Sequence, residues 1–134
     1  MKAFLAVLMA IFGLNLALGS EMKIEFVSGN VKASVVLNDT NAAKSFYENL
    51  PMELNLKDYV GREKIADLPV KLDFQGDPSS DGKIGDLGYF SPWGNLVLFY
   101  KPQPYYNGLI KLGKFESGFE EIIKCEKVLI KKAE

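Results

Sequence analysis

The chain has 134 residues, of which 48% are hydrophobic and 25% are charged, and its formal net charge at pH 7 is −1. This is the composition of one ordinary globular domain. The weak net negative charge and the absence of any basic run longer than Lys131-Lys132 argue against nucleic acid and anionic membrane as partners. The sequence contains no histidine, which excludes Ser-His-Asp and Cys-His nucleophile systems and histidine-based metal sites.

The first nineteen residues have the form of a secretory signal peptide. Lys2 gives a positive start, an uncharged apolar run follows, and Ala17 and Gly19 stand at the −3 and −1 positions of a cut before Ser20. An uncleaved membrane anchor is the alternative. We predict cleavage near Gly19-Ser20 and export to the periplasm or the extracellular space, with no membrane contact afterwards. Residues 20–134 would then be one mature domain.

The first two elements of the mature chain are a hairpin and a helix. Alternating apolar residues over 23–37 predict a β-hairpin that turns at Gly29-Asn30. The spacing i, i+3, i+4, i+7 predicts one amphipathic helix over about 39–50, capped by Asp39 or Thr40. The apolar positions of this helix are Ala43, Phe46, Tyr47 and Leu50.

The middle of the chain changes from a strand pattern to a loop pattern. Residues 52–59 alternate with period two and predict one strand, and residues 62–68 predict either a short strand or an irregular crossing. Residues 71–86 are rich in Gly, Asp, Ser and Pro, which favours a loop.

The last third predicts strands separated by short breaks. A strand begins at Leu87, and the sequence SPWG at 91–94 is typical of a type I turn. Residues 95–101 are apolar on both faces, which predicts a central strand covered on both sides, with Val97 and Phe99 facing the inside of the barrel. The remaining predictions are a loop over 101–108, a strand over 109–115, a short helical turn over about 117–123 and an edge strand over 126–134.

Many short strands with one helix predict a mainly β fold, either a small closed barrel or a sandwich. Three blocks narrow this choice, because DYVGREKIADLP, GDLGYFSPWGNLVLFYK and NGLIKLGKFESGFE resemble the signature blocks of the bacterial cyclophilin-like fold proteins. The resemblance covers residues 22–132. It implies a small closed cyclophilin-like β-barrel with a helix plugging one end, and it implies no settled activity.

The aromatic residues provide the candidate site. Tyr and Trp side chains have an apolar body and a polar tip, so they often line clefts. The simpler interpretation is that they cap the ends of the barrel, and a cleft is the functional alternative. We predict a ligand-binding cleft and assign no catalytic residue. Its candidate residues are Tyr59, Arg62, Glu63, Tyr89, Trp93 and Tyr100.

Metal and cofactor sites are not expected. Asp77 to Gly82 resembles the first half of a calcium loop, but Gly88 stands at position twelve, where the bidentate carboxylate belongs. A solvated acidic loop is the simpler interpretation. Cys125 is the chain's single cysteine, so it forms no internal disulfide, and it is either a small buried hydrophobe or a link between two chains.

The predicted function is therefore that of an exported, non-catalytic binding module for a small molecule or an extended peptide, with no cofactor. A peptidyl-prolyl cis-trans isomerase is the alternative. The resemblance to cyclophilins is the reason for considering this activity, since those enzymes combine an arginine with an apolar pocket. Arg62 is the single arginine here, but its block does not match the motif that carries the cyclophilin arginine.

Overall fold

The computed structural model describes residues 21–134, and the predicted signal peptide lies outside these residues. The fold is mainly β, as predicted. The strands are β1 (Lys23–Ser28), β2 (Val31–Leu37), β3 (Met52–Asn55), β4 (Lys57–Tyr59), β5 (Glu63–Asp67), β6 (Ser80–Gly82), β7 (Asp86–Phe90), β8 (Asn95–Phe99), β9 (Gln103–Tyr106), β10 (Leu109–Ser117) and β11 (Lys127–Lys132). The helices are α1 (Asn41–Glu48) and α2 (Phe119–Ile122), and neither has the length and apolar character needed to span a bilayer.

Nine strands form one antiparallel sheet that is nearly closed into a barrel, in the order β3-β11-β1-β2-β10-β7-β8-β5-β4. The two edge strands, β3 and β4, follow one another in the chain and are separated only by Leu56. The Leu56 N–H donates to the carbonyl of Glu126 at 2.6 Å, and β3 also contacts β5. The segment 52–59, predicted as one strand, therefore bends at Leu56 and joins the two edges of the sheet.

Helix α1 plugs the barrel, which agrees with the predicted amphipathic helix. Ala42, Ala43 and Phe46 are fully buried against the barrel core. The Thr40 hydroxyl oxygen accepts from the Ala43 N–H at 3.2 Å, as an N-cap residue does. Asp77 adds a second cap, because its carboxylate accepts from the N–H groups of residues 41 and 42 at 3.0 and 2.7 Å. The first position of the calcium-like loop is thus occupied in capping a helix.

Two predicted loops contain strands. Residues 80–82 form β6 within the segment 71–86, residues 103–106 form β9 within the segment 101–108, and the two strands pair as a separate two-stranded sheet. Neither segment carries an alternating apolar pattern, because both strands are short and rich in Gly, Ser, Pro and polar residues. Their extended conformation comes from pairing with each other across the fold.

The prediction that residues 126–134 form an edge strand is wrong. Strand β11 pairs with β1 on one side and with β3 on the other. Its lysines lie near acidic groups of these neighbours, with Lys131 Nζ 3.9 Å from Glu25 and Lys127 Nζ 4.0 Å from Glu53. The positive charges on β11 therefore face negative charges on the two strands that pair with it.

The prediction that Val97 and Phe99 face the inside of the barrel is also wrong. Leu96 and Leu98 face the barrel core, whereas Val97 and Phe99 belong to a second buried cluster on the outer face of the sheet. All five residues of β8 are buried, so the strand is covered on both sides as predicted. Because both faces of NLVLF are apolar, period two could not indicate which face is the interior.

Two smaller predictions have mixed outcomes. The turn before β8 begins one residue earlier than predicted, because the Phe90 carbonyl accepts from the N–H groups of Trp93 and Gly94 at 3.1 and 2.9 Å. Cys125 is half-buried beside the barrel core, with its Sγ 3.6 Å from the Glu121 carbonyl oxygen. A link between chains through this thiol stays a prediction.

Candidate functional site

A cavity of about 270 Å³ lies on the outer face of the main sheet, between β8 and the two-stranded sheet. We refer to it as the outer cavity. Its volume is close to the lower end of about 300–1,000 Å³ that is usual for small-molecule pockets. It is lined by Tyr59, Val60, Arg62, Glu63, Phe90, Trp93, Asn95, Val97, Phe99, Gln103, Pro104, Tyr106 and Leu109.

Alternate residues of β8 form the floor of the outer cavity. Asn95, Val97 and Phe99 point to this side because side chains alternate along a strand. The Phe99 ring fits between two glycines, since a Cβ added at Gly82 would be 2.7 Å from the ring and one at Gly88 would be 3.1 Å away. Gly82 of β6 and Gly88 of β7 therefore leave room for the Phe99 ring between their strands.

Four aromatic side chains form a continuous arc along the cavity. The ring centroids of Tyr59 and Trp93 are 5.4 Å apart, those of Trp93 and Phe90 are 5.3 Å apart, and those of Phe90 and Tyr106 are 5.4 Å apart. All three pairs meet edge to face, which is a favourable geometry for aromatic rings. Trp93 is 55% exposed and Tyr106 is 61% exposed, so much of the arc is open to contact with another molecule.

Asn95 is the polar group at the floor. It is 2% exposed, and its Oδ1 has no hydrogen-bond partner within residues 21–134. Such a buried oxygen costs about 1–3 kcal/mol.

Glu63 and Arg62 stand at the opposite end of the floor from Asn95. Glu63 is the register partner of Phe99, four residues further along β8 than Asn95, which is about 13 Å along the strand. Partial burial raises the pKa of the Glu63 carboxyl, and the nearby positive charge of Arg62 lowers it to a smaller extent. The Arg62 guanidinium donates to the Pro102 carbonyl at 3.3 Å, which fixes it at the rim.

The turn between β4 and β5 carries a strained residue at the rim. Val60 has φ of 47° and Gly61 has φ of 69°, as in a type I′ turn, and the Arg62 N–H donates to the Tyr59 carbonyl at 3.1 Å. A β-branched residue rarely adopts positive φ because its side chain crowds the backbone. Val60 is nevertheless 69% exposed and lines the outer cavity.

Hydrogen bonds that involve Asp58 and Tyr100 stabilise this turn. The Tyr100 hydroxyl donates a hydrogen bond to Asp58, and the Gly61 N–H donates to the other Asp58 oxygen at 2.9 Å. The bond from Tyr100 lowers the pKa of the Asp58 carboxyl, with a further contribution from the Gly61 N–H. The same bond raises the pKa of the Tyr100 hydroxyl.

The structure brings four of the six predicted cleft residues together. Tyr59, Arg62, Glu63 and Trp93 line the outer cavity, while Tyr89 and Tyr100 do not. Tyr89 is 2% exposed on the barrel side, where its hydroxyl oxygen accepts from the Leu72 N–H at 3.3 Å. The Tyr100 hydroxyl instead bonds Asp58, whose carboxylate also accepts from the Gly61 N–H in the turn that carries Val60.

Sequence reasoning missed the floor and the β9 side of the cavity. Asn95 carried a signal, because it is the one polar residue in the apolar run NLVLF and shares a face with Val97 and Phe99. Gln103 and Pro104 carry none, since the segment 101–108 has the Pro, Gly and Asn content of a loop.

No metal centre is apparent among the described residues. Within 21–134, no three side chains of His, Cys, Asp or Glu are grouped closely enough to hold a metal ion.

Comparison with known proteins gives a family match and a structural match. A model of the cyclophilin-like family matches residues 26–131, which include most of the barrel and all the residues that line the outer cavity. The solution structure of a hypothetical protein from Archaeoglobus fulgidus has a TM-score of 0.62 and 18% sequence identity to this chain, and the match covers 84% of this chain and 95% of that one. At this identity the likeness shows a shared fold alone. No curated protein is similar enough to this chain to count as a match.

Proposed function

The chain belongs to the cyclophilin-like family, and on that premise we propose that it is an exported binding domain that holds a small, largely apolar group in the outer cavity without reacting with it. The group belongs to a small molecule or to an extended peptide. The observation that carries this proposal is the aromatic arc of Tyr59, Trp93, Phe90 and Tyr106 around a cavity of about 270 Å³.

The lining supports binding more than catalysis. Glu63 is the one carboxyl and Arg62 the one cation among the described residues that line the cavity. General acid–base chemistry needs a donor and an acceptor of suitable pKa within reach of the reacting atoms. An arginine stays protonated at neutral pH and cannot be the second member of such a pair.

Trp93 provides the assay, because it is the single tryptophan of the chain and lies in the arc. We expect its emission to change on titration with p-cresol, excited at the red edge of the tryptophan band where phenols do not absorb. Val97→Phe would fill the floor and abolish the change. Val36→Phe, a half-buried position on β2 away from the cavity, is the matched control and would leave it intact. Equal responses from both variants would contradict the proposal.

Prolyl isomerisation is the second candidate. One observation favours it: Arg62 lines the same apolar cavity as Trp93, and an arginine beside an apolar pocket can polarise a prolyl amide. The assay is isomerisation of a prolyl peptide by the wild-type chain and by Arg62→Ala. Activity that falls in the variant would support an enzyme, and undetectable wild-type activity would rule it out.

Export is proposed from residues 1–19, whose positive start, apolar run and small residues before Ser20 have the form of a signal peptide. The test is expression of the full chain in a bacterial host, followed by fractionation and amino-terminal sequencing. A product that begins at Ser20 outside the cytoplasm is expected. A full-length product in the membrane fraction would show that the segment is an anchor.

A further inference from the structure

The two buried polar side chains of the described region differ sharply in their hydrogen bonding. Asp86 is 3% exposed, and its carboxylate accepts from the Lys83 N–H at 2.9 Å and lies 3.0 Å from Lys111 Nζ. Asn95 is 2% exposed, and its Oδ1 has no partner within residues 21–134. Buried polar groups are nearly always hydrogen-bonded, so an exception requires an explanation.

Asn95 lies where a ligand would supply the missing partner. It lines the outer cavity and is the register partner of Phe90, a member of the aromatic arc. Its neighbours on the floor, Val97 and Phe99, are apolar, so an apolar residue would suit this position if packing were its only role. The terminal torsion of asparagine is soft, so the carboxamide oxygen can turn toward the cavity without a backbone change.

The charges of the lining restrict the ligand further. Arg62 and Glu63 are adjacent and opposite in sign, so the lining has no net charge and favours neither anions nor cations. Both lie at the far end of the floor from Asn95. The group that meets Asn95 is therefore neutral, and the atom that would satisfy the unpartnered Oδ1 is a hydrogen-bond donor, because a carbonyl oxygen only accepts.

We propose, building on the binding function above, that the outer cavity selects a planar aromatic ring bearing an O–H or N–H donor. The ring packs against the aromatic arc, at Tyr59, Trp93, Phe90 or Tyr106, and the donor bonds Asn95 Oδ1. A free phenol or indole and the side chain of a tyrosine or tryptophan in a peptide share this chemistry. The volume of about 270 Å³ accommodates one such ring system rather than a nucleotide or an oligosaccharide.

The test compares p-cresol with p-xylene, which have the same shape and differ by a hydroxyl against a methyl group. Affinities come from Trp93 emission for the wild type and for Asn95→Leu. We expect Asn95→Leu to weaken the binding of p-cresol about tenfold relative to the binding of p-xylene, which is the effect of losing one hydrogen bond. Asn55→Leu, an exposed position on β3 that does not line the outer cavity, is the matched control and would leave the ratio unchanged.

The outcomes separate the two proposals. If both probes bind the wild type and Asn95→Leu does not change their ratio, the role of Asn95 is overturned while the binding function stands. If neither probe binds, both are overturned. If Asn95→Leu does not fold, the side-chain amide resonances of Asn95 in the wild type decide the matter. They must shift more with p-cresol than with p-xylene, and equal shifts would overturn the inference.

A third probe, N-acetyl-tyrosinamide, distinguishes the two sources of the ring. Binding comparable to that of p-cresol, and equally sensitive to Asn95→Leu, supports a peptide side chain as the ligand. Binding of p-cresol alone supports a free small molecule.

Discussion

Replacement of Val60 by asparagine should stabilise the protein. Val60 occupies the first central position of a turn in which both central residues have positive φ. For a β-branched residue this conformation costs about 1–3 kcal/mol. Asparagine tolerates it well, and Asn followed by Gly is the preferred pair in type I′ turns.

The expected gain follows from exposure. Val60 is 69% exposed, so it contributes about a third of the free energy that full burial of a valine side chain provides. Replacement therefore loses roughly 0.6 kcal/mol of hydrophobic stabilisation. Relief of about 1.5–2 kcal/mol of strain leaves a net gain of about 1 kcal/mol in the free energy of unfolding. For a domain of this size that corresponds to a rise in Tm of about 4 °C.

The assay is thermal and urea unfolding of Val60→Asn, Val60→Gly and Val60→Ile. Val60→Ile keeps the branched Cβ and should leave stability unchanged. Val60→Gly removes the strain but increases the conformational entropy of the unfolded chain by about 0.5–1 kcal/mol, so its net effect should be close to zero. Should Val60→Asn be no more stable than Val60→Ile, the strain argument is refuted.

Three further predictions concern packing and ionisation. Gly113→Ala should destabilise the barrel by about 2 kcal/mol or more in urea unfolding, because the new Cβ would lie 2.3 Å from the Val36 carbonyl oxygen; a change below about 0.5 kcal/mol would contradict this. Burial raises the pKa of the Glu63 carboxyl, so the ionised carboxylate destabilises the folded state once the pH has risen through that raised pKa. Glu63→Gln should therefore raise Tm at pH 7 and give no such increase below pH 4.5, where the carboxyl is protonated in both states. An increase in Tm that is the same at every pH would be inconsistent with ionisation as the cause. Tyr100→Phe should raise the pKa of Asp58, because the hydroxyl that lowers it is removed, and an unchanged carboxyl titration by NMR would count against that cause.

The barrel could be predicted because its determinants are local. Alternation over 23–37 sets the first hairpin, and the helical spacing over 39–50 sets α1, which Thr40 caps as expected. Strands β6 and β9 could not be predicted in the same way, since three and four residues of mixed polarity carry no periodic signal. Their conformation depends on partners that are distant in sequence.

The lining of the outer cavity could be predicted in part for a related reason. Tyr59 and Trp93 lie in or beside turns, where an aromatic residue that does not pack inward is recognisable from its context. Tyr89 and Phe90 differ by a single hydroxyl and stand on opposite faces of β7. Tyr89 faces the barrel, where its hydroxyl oxygen accepts from the Leu72 N–H. This partner is seventeen residues away in the chain, so the local sequence does not indicate which of the two rings faces inward.

Strand β8 divides two tasks between alternate residues. Leu96 and Leu98 hold the barrel together, while Asn95, Val97 and Phe99 shape the surface that a ligand would meet. Substitutions at the odd-numbered positions can therefore change the lining of the outer cavity, while the even-numbered positions preserve the architecture. A protein engineer could use the same separation to install a new specificity on this scaffold without redesigning its interior.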